Sequence, residues 1–162
     1  MVTARRLPEP LTDVPLAVSA FSGTEIATGA LDSMQALSSR TPGFYFETMW
    51  GGLNSTPNLR GQQPSPTGDL NVGVFVDGVY QVNPSAVDPG VLDIGRVEIV
   101  SGPQSTLFGH STFAGAIHYV SRAPSGTAEY GFNVDAGTDN LAAITGFLSG
   151  PLTRGLLARV AF

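Results

Sequence analysis

Arg96-Val-Glu-Ile-Val-Ser-Gly-Pro-Gln-Ser-Thr-Leu-Phe-Gly109 is the stretch that decides how the rest of the chain is read. Its first residues alternate, which predicts a strand with Val97 and Ile99 on one face. Gly102-Pro103 forces a turn and opens a helical turn over residues 104–108, because proline suits the first helical position. Leu107 and Phe108 are expected to point into a core, and Gly109 to end the turn at positive φ. Ala114-Gly-Ala-Ile-His-Tyr-Val-Ser-Arg-Ala-Pro124 then predicts a second strand over residues 116–121. Gly115 ahead of that strand suits a close approach of backbones.

Upstream, Leu16-Ala-Val-Ser-Ala-Phe21 reads as a short strand. Ser22-Gly-Thr-Glu25 fits a capping box, with Ser22 accepting from the third amide and Glu25 reaching back. It predicts a helix over residues 24–28, closed by Gly29. A second helix over residues 33–40, opened by Asp32 and stopped by Pro42-Gly43, places Met34 and Leu37 on one face. Residues 43–70 read as loop, rich in Gly, Asn, Pro, Ser and Gln, yet carrying Phe44, Tyr45, Phe46 and Trp50. Asn71-Val-Gly-Val-Phe-Val76 predicts a strand that runs into an Asp77-Gly78 turn and resumes at Val79-Tyr80. Residues 81–89 read as loop.

At about Ser125 the texture changes. Residues 127–137 alternate, with Ala128, Tyr130, Phe132, Val134 and Ala136 on one face and Glu129, Gly131, Asn133 and Asp135 on the other. Turns at residues 138–140 and 150–154 separate two further extended segments, residues 141–149 and 155–162. Three such segments joined by tight turns match the weak signature of transmembrane β-strands. A soluble meander produces the same pattern, since a period of two shows an apolar face and not what covers it.

Composition narrows the function classes. The 162 residues include 20 Gly and 12 Pro, with 42% hydrophobic and 13% charged side chains. That mix suits a turn-rich folded β protein rather than a disordered chain. The net charge is -5, and the eight basic residues are all arginines, scattered along the chain apart from the Arg5-Arg6 pair, so no basic patch invites nucleic acid. Without cysteine there are no disulfides or thiolate metal sites. No apolar run approaches the roughly 18 residues of a spanning helix. The first ten residues lack the apolar stretch of a secretory signal, which leaves two expectations: a cytosolic chain, or an export signal lost upstream. Nucleophile-elbow, zinc-protease and P-loop signatures are missing. His110 and His118 read as a turn and a strand histidine, and Asp77 before Gly78 as a turn residue. No catalytic residue, metal site or cofactor is expected.

Three stretches are distinctive when taken in order: Asn58-Leu-Arg-Gly61, Val74-Phe-Val-Asp-Gly-Val-Tyr80, and the long run from Arg96 to Pro124. From about Ala17 to Pro124 the sequence resembles the plug domain of TonB-dependent outer-membrane receptors. It departs from the family at Ser101, where an arginine precedes the Gly-Pro, and at His110 and Ala114.

The resemblance implies an α+β fold: a small mixed-sheet plug with short helices over residues 1–125, followed over residues 126–162 by a few antiparallel strands of an incomplete barrel. It implies gating of nutrient import, such as a ferric siderophore, at the outer membrane, with a TonB-type periplasmic coupling protein as partner and a small extracellular molecule as ligand. By resemblance, Gln62, Gln63, Tyr80, Gln81 and Asn83 in the apical loops face substrate. Phe44, Tyr45, Phe46 and Trp50 are candidates to stack on an aromatic chelate or to sit in the core. Arg60 and Arg96 are candidates for ion pairs with barrel carboxylates, since an arginine in a protein-lined lumen needs an acidic partner. Three strands cannot close a barrel, so the chain alone is too short to transport. The alternatives are a stand-alone soluble β-rich binding module and a non-functional fragment.

Overall fold

The computed structural model describes residues 2, 9–10, 12, 16–29, 31, 33–49, 54–62, 70–82, 93–109, 112–138 and 142–162. The chain divides into two compact units, residues 1–121 and 122–162.

In the first unit the described elements are β1 (Ala17–Ser22), α1 (Gly23–Thr28), α2 (Met34–Arg40), β2 (Phe44–Met49), β3 (Asn54–Leu59), β4 (Val72–Val76), β5 (Val79–Tyr80), β6 (Ile94–Ser101), α3 (Ser105–Phe108) and β7 (Gly115–Ser121). Five of the strands form one sheet in the order β1-β6-β7-β4-β5. Every pairing in it is antiparallel except β4 with β7, so the sheet is mixed.

Both faces of this sheet are covered, so even Glu98 of β6 and His118 of β7 are buried. On one face Val72, Val74, Val97, Ile99, Ile117 and Tyr119 pack with Ile26 of α1, Met34 and Leu37 of α2, and Phe44, Phe46 and Leu59 of the β2–β3 hairpin. The Tyr119 hydroxyl donates to Met34 Sδ at 3.3 Å inside that core. On the other face Val100 packs with Val2, Leu16, Val18 and Ala20.

The helices start where their caps dictate. Ser22 Oγ accepts from the Glu25 amide at 3.2 Å, and Glu25 Oε2 accepts from the Ser22 amide at 2.8 Å, which completes the capping box. Those bonds favour the carboxylate, so Glu25 titrates below its ordinary range, the side-chain bond to Ser22 being the larger cause. The cap of α2 is Ser33, whose hydroxyl accepts from the Ala36 amide; Asp32 lies outside the described residues.

Three expectations are corrected. Residues 43–70 are not loop throughout, because Phe44–Met49 and Asn54–Leu59 pair as a hairpin. Phe44 and Phe46 point inward and Tyr45 outward, a period of two hidden by the polar residues of β3. The two buried phenylalanines therefore belong to the core; Trp50 lies outside the described residues. In the Gly-Pro segment, Pro103 precedes the cap residue Gln104, so α3 is shorter than expected and leaves Leu107 exposed. Gly109 does have positive φ, at 77°.

The second unit is a meander of β8 (Glu129–Ala136), β9 (Ala142–Thr153) and β10 (Leu156–Ala161), in the order β10-β9-β8. The expected turn at Gly150-Pro151 is strand; the turn falls at Arg154-Gly155, with Gly155 at φ 85°. Pro151 is tolerated because β9 has there run past its last pairing with β8, Ser149 opposite Glu129.

Opposed residues put Tyr130, Leu148 and Val160 in one row and Val134 with Ile144 in another, all on one face. Tyr130 is 80% and Phe132 73% exposed, and Val134, Ile144, Leu148, Leu152, Val160 and Phe162 are exposed with them. The opposite face carries Glu129, Asn133, Asp135 and Arg159, whose guanidinium lies 4.1 Å from the centre of the Phe147 ring.

Candidate functional site

The Leu-Arg-Gly and Gly-Pro motifs converge on one end of the five-stranded sheet. There β4 and β7 begin side by side, Val72 opposite Gly115, and β6 ends, Ser101 opposite Gly115. Leu59 and Arg60 reach the same end. A methyl group on Gly115 would fall 2.6 Å from Leu59 Cδ1 and 2.3 Å from the Val100 carbonyl, so only glycine fits. The Arg60 guanidinium lies against Gly102. Arg60 (φ 54°) and Gly61 (φ 72°) turn the chain tightly, and the Gln62 amide donates back to the Leu59 carbonyl at 3.1 Å.

The loop between β6 and β7 is closed by its own bonds. The Gly102 amide donates to the Ala114 carbonyl, the Gln104 amide to the Thr112 carbonyl, and Thr112 Oγ1 to the Gly109 carbonyl. Beneath it Phe108, Phe75 and His118 form an aromatic cluster, with Phe75 and His118 stacked at 4.8 Å.

β5 starts the second loop back toward this end along the sheet edge. Tyr80 lies opposite Phe75, its ring 5.5 Å away, and the Gln81 amide donates to the Val74 carbonyl at 2.9 Å. The chain thus runs back from the Asp77-Gly78 turn toward the end where Val72 and Gly115 lie. Arg60 sits at that end against Gly102, whereas Tyr80, opposite Phe75, lies roughly 10 Å from it along the β5 edge at ~3.3 Å per residue, with Gln81 nearer, beside Val74. Gln62 is exposed, and Gln81 Nε2 is held by the Val79 carbonyl. Gln63, Asn83 and His110 lie outside the described residues.

Arg96 does not join this group. It lies opposite Val120, roughly 15 Å along the sheet from Gly115 at ~3.3 Å per residue. Its Nε donates to Glu98 Oε1 at 2.6 Å, and Glu98 is fully buried. A buried carboxylate needs such a partner, because its desolvation is costly.

Two arrangements escaped the sequence reading. One is the row Glu98, His118, Phe75 and Tyr80, aligned across four strands by register. The other is the pair Asp77–Ser121, where Asp77 Oδ1 accepts from the Ser121 amide at 2.9 Å and Oδ2 from the Ser121 hydroxyl at 2.7 Å. Asp77-Gly78 signalled a turn, but nothing local pointed to a partner 44 residues on.

Residues 10–116 match the family described as TonB-dependent Receptor Plug Domain. The chain belongs to that family. Over 139 residues, 84% of its length, it is 30% identical to the pesticin receptor of Yersinia pestis, of which it covers 20%. Over 150 residues it is 32% identical to the ferrichrome outer membrane transporter and phage receptor of Escherichia coli K12, covering 90% of itself and 19% of that protein. The chain thus spans about a fifth of the length of these curated relatives.

Among solved structures, the ferric yersiniabactin uptake receptor FyuA from Yersinia pestis superposes with a TM-score of 0.77 at 27% identity, over 90% of this chain and 23% of that one. The ferripyoverdine receptor of the outer membrane of Pseudomonas aeruginosa superposes with a TM-score of 0.78 at 18% identity, over 99% of this chain and 22% of that one, which shows the shared fold. The relatives are receptors and transporters, and the plug fold expected from the motifs is the fold found.

Proposed function

We propose that this chain is the gating plug, with the first barrel strands, of an outer-membrane receptor that imports a nutrient of the ferric siderophore class. In this reading residues 1–125 are the plug and residues 126–162 start the barrel. A TonB-type periplasmic protein is the energy-coupling partner, and the chain performs no catalytic step. The observation that carries the proposal is the succession of a matched plug segment and a meander whose exposed face is apolar. Tyr130, Phe132, Val134, Ile144, Leu148 and Val160 then face lipid, while Glu129, Asn133 and Asp135 face the lumen.

Gln62, Gln63, Tyr80, Gln81 and Asn83 are assigned to the ligand. Support comes from the exposure of Gln62 beside Arg60, from the chain after β5 running back toward the same sheet end, and from relatives named for ferrichrome and ferrioxamine. Arg60, exposed at the same end, is assigned to a barrel carboxylate. Arg96 is assigned the same role in second place, because Glu98 already engages it.

The test is equilibrium binding of a panel of ferric siderophores to a receptor carrying this chain as its plug. One chelate should bind, and Tyr80→Ala combined with Gln81→Ala should weaken it about tenfold, or ~1.4 kcal/mol. Binding unaffected by these substitutions would remove both residues from the site.

A further inference from the structure

In a parallel ladder, a residue that donates its N–H to one neighbour accepts, through its own carbonyl, from the residue two positions further on. Asp77 follows the first half of this rule, its amide donating to the Tyr119 carbonyl at 2.9 Å. The second half would have the Ser121 amide donate to the Asp77 carbonyl. The backbone of Asp77 has instead turned to φ 47° to enter the Asp77-Gly78 turn. The carboxylate replaces the carbonyl, Oδ1 taking the Ser121 amide and Oδ2 the Ser121 hydroxyl.

The last rung between β4 and β7 is therefore made by a side chain. It lies at Ser121, the final residue of the first unit.

We infer that Asp77 and Ser121 form a releasable latch that holds the exit of the plug domain. A main-chain rung opens only when the strand backbone changes. This rung opens by rotation of one exposed side chain, a fast motion. Both residues are exposed, so the freed amide, hydroxyl and carboxylate pass to water and no buried polar group is stranded. Ser121 can then part from β4, still opposite Ile94 of β6, while the β4–β7 ladder up to Val76 and Tyr119 stays paired. The latch does not rest on the import reading.

The intact chain tests it through amide hydrogen exchange and trypsin cleavage after Arg122. Asp77→Gly removes the carboxylate but keeps a residue at home at positive φ. Asp77→Asn keeps both polar atoms and tolerates the turn. The latch predicts that Asp77→Gly speeds exchange at the Ser121 amide and cleavage after Arg122 by about tenfold or more, as expected for losing charge-assisted bonds. The Val97 and Ile117 amides should keep their rates, and Asp77→Asn should restore most of the protection. Three results would overturn it: an unchanged Ser121 amide in Asp77→Gly, equal acceleration across β4, β6 and β7, or no rescue by asparagine.

Discussion

The guanidinium of Arg60 lies directly against Gly102, so that a methyl group on Gly102 would stand 3.3 Å from Arg60 Nη1. Two motifs far apart in sequence therefore meet in one joint, with Leu59 over Gly115 as its apolar half. This joint explains why the Leu-Arg-Gly and Gly-Pro elements occur together. Each supplies the surface on which the other packs.

The tightest point of the joint is Gly115, at φ 156° and against the Val100 carbonyl. Gly115→Ala should destabilise the first unit by about 1–3 kcal/mol, the usual range for overpacking. Urea unfolding of the two proteins measures it, and equal midpoints would show that the joint opens at no cost.

Gly109 differs in kind. At φ 77° and ψ -132° it occupies a region that essentially only glycine visits, yet among the described residues no atom lies within 4 Å of a side chain placed there. Gly109→Val should cost about 1–3 kcal/mol through backbone strain alone. A thermal melt with an unchanged midpoint would rule that strain out.

The capping box ties stability to pH. Glu25 titrates below its ordinary range in the folded chain because Ser22 bonds its carboxylate. Its contribution is fully present above the unfolded chain's glutamate pKa and fades as pH falls through the lower folded value. Chemical melts across that acid range should show the gap between wild type and Glu25→Ala closing as pH drops. Ser22→Ala should cost about 0.5–2 kcal/mol at neutral pH.

Truncation after Ser125 removes the meander and leaves the first unit whole. The shortened protein should melt at a similar temperature and be at least as soluble, since a face with Tyr130 and Phe132 exposed is gone. If residues 16–121 unfold instead, the meander is part of the plug's core.

Much of the fold was legible because its signals are local. Ser22 and Glu25 announce α1, Asp77-Gly78 announces the β4–β5 turn, and the alternation from Glu129 to Ala136 announces β8. The β2–β3 hairpin was not legible, because Pro57 and the asparagines of β3 speak for loop, while the core that overrides them is gathered from distant helices. Gly150-Pro151 misled for a related reason: a proline signals a turn only where both sides of the strand need its amide. The proposed ligand residues Gln62, Tyr80 and Gln81 were reached through motifs alone. The latch at Ser121 was hidden, since its partner is set by parallel pairing and not by spacing.

The proposed role of this chain is to gate import when seated in a barrel. Residues 16–162 can replace the corresponding segment of the ferric yersiniabactin uptake receptor in a strain lacking its own copy. Uptake of radioactive iron is then measured with and without a functional TonB protein. Uptake should occur and should require TonB. A receptor that assembles in the outer membrane yet leaks iron without TonB, or takes up none with it, would contradict the claim.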